Sequence, residues 1–535
     1  MKILVAVIVC QMAVQTLSAQ LPPVNRRVHP GTITQTEPII ATSPVDPNIL
    51  FASAVTGVGS FRSEGIYVST DGGATWRGSD TCRGELLANH GGDPGVMINS
   101  GGRFILTHIG RLFPGMFSHT STDMGLTWDT AKTITSVQSE DKGGTAVDVH
   151  SSSPFRDRLY AAYVHQLMPY PVRISYSSTA GSSWSASAAI NGTPPARCSG
   201  GSVVTGPDGR VYVTWAGVIS TLPFTEDFAG FAFSTDGGVS WTVNQNIFDM
   251  NGIAGTLPTK GGIRVNGLPQ IAIDNSSGPR HGWLYIVTNE KGIVPAGNDP
   301  DVLLHRSTDG GASWSQGIRV NQDAVNNGKT QYFPLMDIDD SGGVNILFYD
   351  DRDTTPDSTG VMLARSTDGG DSWTEMVISD HRFQPKPIPV FASGYQGDHI
   401  ALKAAGNRLH AMWMDDASGI YQVWYAMVDI TVGVAPLPDA GTGPVLVRAY
   451  PNPFNATTTF EIRIPTPSDV RLRVYDVLGR EVSQLLDGRR EAGSHRVRLD
   501  GSGLATGVYF YAADIIPTSS RNRSSRTLGK IILLR

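Results

Sequence analysis

Tyr349-Asp350-Asp351-Arg352-Asp353 gathers three carboxylates and a guanidinium directly after a short apolar run. Paired carboxylates can act as acid, base or nucleophile in glycoside cleavage, and Asp398 is a further candidate for such a pair. The same oxygens could chelate calcium, although their spacing is not that of a regular calcium loop; no other cofactor is expected. His108, His165 and His399 lack ligand spacing and are expected to be ordinary hydrogen-bonded or exposed side chains. A solvated turn after a strand, with Arg352 balancing its neighbours, is the favoured reading of the acidic cluster. No phosphate loop, zinc motif or G-x-S-x-G elbow occurs.

The elements that must position these residues are marked by an octapeptide, S-x-D-x-G-x-x-W, written six times. It occupies Ser69–Trp76, Ser121–Trp128, Ser177–Trp184, Ser234–Trp241, Ser307–Trp314 and Ser366–Trp373. Its aspartates are Asp71, Asp123, Asp236, Asp309 and Asp368, with Thr179 in the third copy, and its last residues include Trp76, Trp128, Trp241, Trp314 and Trp373. Each copy follows a short apolar run, so each reads as a hairpin turn locked by Ser and Asp oxygens and by glycine at positive φ. A recurrence every fifty to seventy residues or so signals a propeller or solenoid. The octapeptide resembles the Asp-box, or bacterial neuraminidase repeat, of the sialidase superfamily, over residues 37–430.

That resemblance implies an all-β propeller whose boxes lie between the third and fourth strands of each blade, away from the ligand face. The boxes are then structural staples. It also implies an active site of three arginines clamping the substrate carboxylate, for which Arg352 is the candidate with Arg197 and Arg264 as poorer partners. A Tyr nucleophile needs a neighbouring base, and Glu290 with Tyr332 or Tyr395 would imitate that pair, beside an Asp acid/base. The first arginine usually stands in an F/Y-R-I-P motif before the first box. Here Phe61-Arg62-Ser63-Glu64 lacks the Ile-Pro, and Arg463-Ile464-Pro465 lies outside the repeats. In a propeller the starts of innermost strands and the ends of second strands share the ligand face. Those positions read as Asp93, His108, Asp148, His165, Ser199, Trp215, Pro269, Asn289, Glu290, Tyr332, the 349–353 cluster, Tyr395, Asp398, His399, Asp415 and Asp416. Aromatics beside carboxylates and an arginine suit a sugar-binding cleft.

Six boxes suggest six blades, but strands at 400–404, 408–414 and 421–428 form a seventh module without a box, and seven is favoured. Its fourth strand is expected from the segment near Thr32–Ile40. Residues 1–19 read as a signal peptide, 20–36 as a lead-in and 431–444 as a linker. From residue 445 to 535, Ala449–Asn455, two alternating strands, Asp476–Val482 and Leu504–Tyr511 resemble, in this order, the type A sorting domain of the type IX secretion system. The resemblance implies export to the medium or the outer-membrane surface. The net charge of −6 carries no nucleic-acid footprint, and the mature sequence has no apolar run that would span a membrane. Cys82 and Cys198 could pair after export or remain two buried thiols. The expected function is a secreted, sialidase-like propeller that binds or hydrolyses glycans or glycoproteins. The rival is a non-catalytic adhesion or protein-binding propeller.

Overall fold

The computed structural model describes residues 23–59, 61–82, 90–388, 391–432, 446–450, 452–464, 467–490, 493–518 and 525–534. The signal peptide and most of the linker expected from sequence lie outside them. The chain divides into two compact units, Pro22–Val434 and Ala435–Arg535.

Among the described residues the larger unit contains seven four-position antiparallel blades, six of them built from strands consecutive in the chain and the seventh completed by an N-terminal strand. Their innermost strands are Thr34–Thr42, Gly95–Ile98, Glu140–Val147, Arg197–Thr205, Gln270–Ile273, Gln331–Ile338 and Ala401–Ala405. Each packs against the next, and the seventh against the first, so the ring is closed. Second strands such as Val211–Val218 are buried along their whole length. That explains near-continuous apolar runs like VYVTWAGV, since both faces press on neighbouring blades. A channel of about 710 Å³ runs along the innermost strands, lined largely by small residues, apolar residues and backbone.

Blade seven takes its outermost strand from Arg26–Arg27, which pairs with Tyr425 and Trp424. The segment expected there, near Thr32–Ile40, instead contributes the innermost strand of blade one. An innermost strand needs small and apolar side chains on both faces, and Pro38-Ile39-Ile40-Ala41 supplies them; the two arginines suit an exposed edge.

All six octapeptides form the same turn between third and fourth strands. The serine hydroxyl accepts the N–H of the residue four further on at 2.7–2.9 Å. It donates to the aspartate at 2.7–2.8 Å in the five boxes that have one. In the third box the Thr179 hydroxyl takes over, accepting the Ser183 N–H at 2.9 Å. These capping donors hold Asp123, Asp309 and Asp368 down at about 2. The tryptophans reach across to the preceding blade: Trp128 to Phe51, Trp314 to Phe231 and Trp76 to Tyr425, at 5.2–5.6 Å between rings. Gly73 shows why the turn tolerates no side chain. Its φ is +87°, and a Cβ would stand 1.9 Å from the Tyr425 hydroxyl. The box therefore closes its own hairpin and pins one blade to the last.

The smaller unit is a β-sandwich. Leu446–Tyr450, Thr457–Ile464 and Gly493–Asp500 form one sheet; Ser468–Tyr475, Glu481–Arg490, Gly507–Pro517 and Ser525–Leu533 form the other. Alternating burial along Ser468–Tyr475 is the period-two pattern of a sheet with one wet face. Phe460, Ile462, Leu472, Val474, Tyr511 and Ile531 share its core.

Candidate functional site at the channel mouth

The starts of the innermost strands of blades one, two and seven, together with an insertion between blades four and five, bring Glu37, Asp93, Arg264, Tyr395 and Asp398 together. The insertion is a hairpin, Gly255–Leu257 with Ile263–Val265, linked by a turn of 3-10 helix at Pro258–Lys260. Arg264 leaves it to donate to Asp398 from Nε at 3.1 Å and Nη2 at 2.5 Å. Its guanidinium carbon stands 5.0 Å from the centre of the Tyr395 ring. Tyr395 in turn meets Phe391 edge-on at 5.6 Å, and Arg62 lies 5.0 Å over Phe391. Two arginines thus flank one aromatic pair.

Glu37 is 3% exposed and accepts the Asp398 N–H at 3.0 Å. Its side chain is also a hydrogen-bond partner of the Tyr395 phenol. Burial first, then the charges of Glu37, Asp398 and Asp93, hold that phenol well above its ordinary range, so it is protonated and donates to the carboxylate. Glu37 has φ +50° at the bulge in its strand. Phe333 has φ +52° at the corresponding bulge of blade six, so the conformation belongs to the bulge. What distinguishes blade one is the carboxylate placed there. Asp93, with φ +55°, turns into the next innermost strand. Arg264 and Asp398 remain 43% and 33% exposed at the side chain, so the group has a solvent face.

Other expected site residues have structural employment. Arg352 donates to both Glu375 oxygens, at 2.5 and 2.8 Å, and to Asp350 at 2.8 Å. Burial opposes its charge, but Asp350 and Glu375 hold its pKa above the ordinary value, and it is occupied as a brace, not poised as a clamp. Burial raises Asp350, which Arg352 partly offsets. Asp351 is ion-paired with buried Lys260, tying the insertion to blade six. With Arg352 and Lys260 already on these oxygens, the cluster does not fit calcium or a glycosidase pair; Asp353 is exposed. Glu290 does not join Tyr395. It accepts the Thr288 hydroxyl at 2.6 Å and the Asn251 N–H at 3.4 Å, while Glu226 accepts Gly267 and Ala254 N–H groups at 2.7 and 3.1 Å. Both carboxylates anchor the insertion.

Tyr332 and Tyr349 stack at 4.8 Å and are fully buried, as is Trp215, so none lines the mouth. Asp148 follows its innermost strand and therefore lies at the box-side end; Glu140, which starts that strand, sits 3.4 Å from His165. The strand carries a bulge and two glycines, Gly143 and Gly144, which obscure its start in the sequence. Arg197 lies 4.4 Å over Phe224. Asp415 receives the Trp413 indole at 2.7 Å, and Asp416 pairs with Lys386. Asn289 spans two backbone carbonyls at 2.8 and 3.1 Å, and His399 borders the channel. Cys82 and Cys198 are both buried and form no disulfide; burial pushes the Cys198 thiol up to about 11. Sequence reasoning missed Glu37, whose only signal was an acidic residue in an otherwise apolar inner strand.

Residues 448–523 match the family described as a secretion system C-terminal sorting domain. The C-terminal unit is that sorting domain. It directs the protein through type IX secretion to the extracellular space or the cell surface, and implies contact with the secretion machinery. Among the described residues no helix is long and apolar enough to cross a membrane. No curated protein matches the chain. Distant likenesses to solved structures include an ulvan lyase at 10% identity and TM-score 0.44, covering 78% of this chain and 97% of that one. An α-L-arabinanase of Penicillium chrysogenum is 12% identical with TM-score 0.42, covering 77% and 98%. A Hadza microbial sialidase is 14% identical with TM-score 0.38, covering 72% and 74%.

Proposed function

We propose that this is a secreted glycan-directed propeller that binds sugar at the channel mouth around Tyr395. The observation that carries the proposal is the Tyr395 phenol hydrogen-bonded to Glu37 beside Asp398 and the half-exposed Arg264. The Phe391–Tyr395 pair provides an aromatic platform and the carboxylates accept sugar hydroxyls. The same set supports glycoside cleavage of sialidase type. Glu37 would take the phenolic proton as the Tyr395 oxygen bonds to the anomeric carbon. The glycosidic C–O bond would break with Asp93 protonating the leaving oxygen, and water would then release the sugar from Tyr395.

The proposal is tested on the full mature chain with a fluorogenic sialoside and a glycan array. Sugar binding weakened at least tenfold by Arg264→Ala supports it, and turnover lost about a hundredfold or more in Tyr395→Phe with binding retained establishes the reaction. One observation favours the adhesion alternative: Arg264 is already neutralised by Asp398, leaving no free three-arginine clamp among the described residues. A folded chain that neither turns over the sialoside nor binds any glycan would move the protein to that class.

A further inference from the structure

We propose that His90, His108 and His119 form a binding site for a divalent transition-metal ion, with Zn²⁺ as the ion that suits them. The three rings are buried together in blade two, with ligand atoms within 4.8 Å of one another. His108 lies on the strand Phe104–Ile109 and His119 on Met116–Ser121, while His90 bridges to Gly110. None takes part in the chemistry around Tyr395, and the inference is independent of the glycan proposal.

Their outer partners decide what the inner nitrogens offer. His108 Nδ1 faces the Ile109 carbonyl at 2.8 Å, and His119 Nδ1 faces the Asp129 carbonyl at 3.1 Å. A carbonyl can only accept, so each Nδ1 carries the proton and each Nε2 presents a lone pair. His90 Nδ1 is paired with the Glu64 carboxylate, whose other oxygen accepts the Gly92 N–H at 2.8 Å. This is the carbonyl-and-carboxylate support that orients metal-ligating imidazoles.

Two consequences follow inside the cluster. The Nε2 atoms of His108 and His119 are 3.2 Å apart, with no proton assigned between them by their tautomers. Two lone pairs at that distance repel unless a cation lies between. Two nitrogens each about 2.0–2.1 Å from a tetrahedral ion stand roughly 3.3–3.4 Å apart, close to the spacing present. The His90 Nε2 is buried and has no hydrogen-bond partner among the described residues, a cost that a metal bond removes. Its ring lies 4.1 Å from that of His108, with one ligand atom from each of the three rings within 4.8 Å of the others. Three nitrogens leave a fourth tetrahedral position for water. Through Glu64 and Gly92 the ion would brace the turn that carries Asp93 into the channel mouth.

The test uses the full mature chain without a histidine tag, dialysed against a chelator and titrated with Co²⁺ and then Zn²⁺. The expected result is one equivalent of Co²⁺ with the intense visible bands of a four-coordinate nitrogen site, displaced by one equivalent of Zn²⁺. Zn²⁺ should also raise the melting temperature of the wild-type chain. His108→Ala and His119→Ala should each weaken binding roughly a hundredfold, and Glu64→Gln roughly tenfold. His410→Ala, a buried histidine of blade seven, should leave binding unchanged. Because removing a buried ring can unfold blade two, wild-type stoichiometry and spectrum decide the matter if the variants fail to fold. Less than a tenth of an equivalent bound by the folded wild-type chain would overturn the proposal. So would an equivalent that folded ligand variants retain at full affinity.

Discussion

Thr179 closes the third copy of the repeated octapeptide turn with a hydroxyl where the other five use a carboxylate. It accepts the Ser183 N–H at 2.9 Å and meets the Ser183 hydroxyl at 2.9 Å, so the turn survives with a neutral acceptor. A carboxylate would accept both as charge-assisted bonds. Thr179→Asp is therefore expected to stabilise the propeller by about 0.5–1 kcal/mol, read as a raised midpoint in urea at unchanged slope. A lowered midpoint would mean that the third turn differs from its siblings in more than one atom. Of the residues around Tyr395, the sequence singled out Tyr395 and Asp398 at strand starts and gave Arg264 only as a poorer clamp partner, whereas Glu37 carried no such signal. Its partner Tyr395 is supplied from the other end of the ring, and no local periodicity joins them.

Among the elements, the insertion between blades four and five matters most, because it delivers Arg264. Glu226 and Glu290 hold its base, and the ion pair of Lys260 with Asp351 holds its tip to blade six. The Lys260 side chain is fully buried and also donates to the Ser358 carbonyl at 2.9 Å. Lys260→Met leaves Asp351 charged and buried without its cation, and should cost about 3–5 kcal/mol. Adding Asp351→Leu to that variant should recover part of the loss, and both should weaken glycan binding by freeing Arg264. Urea unfolding of the single and double variants measures this. A single variant as stable as wild type would show that the tip is held by other contacts. The sequence marks this segment only as a longer spacing between the fourth and fifth boxes.

For the whole molecule, the seam where the ring closes is its particular feature. Arg26–Arg27 completes blade seven, and Asn25 bonds the Ile378 carbonyl at 2.9 Å and the Asp380 N–H at 2.7 Å. Beside it His381 bridges Asp380 at 2.7 Å and Asp415 at 3.0 Å. Burial opposes its charge, but the bonds to Asp380 and Asp415 prevail and raise it to about 9. A raised histidine stabilises the fold fully below its unfolded pKa, near 6.5, and the contribution is lost as pH rises through about 9. With partial exposure discounted, the amplitude is on the order of 2 kcal/mol. Stability of the wild type should therefore fall between about pH 6.5 and 9, and His381→Gln should flatten that decline. An unchanged slope in the variant would assign the decline to other groups.

By itself the sequence determined the all-β class, the repeated turn, the box-less seventh module and the C-terminal sorting domain. Those features rest on local rules: period-two burial, glycine at positive φ, and Ser and Asp oxygens capping a turn two to four residues away. Only the tertiary structure decided which acidic residues meet Tyr395, that Arg352 and Asp350 belong to a brace, and that His90, His108 and His119 share one buried space. A channel mouth is assembled from strand ends of different blades and from an insertion, and a one-residue bulge or an early strand start changes which side chain arrives there. The physical reason is that contacts between blades depend on ring geometry, which no window of sequence contains.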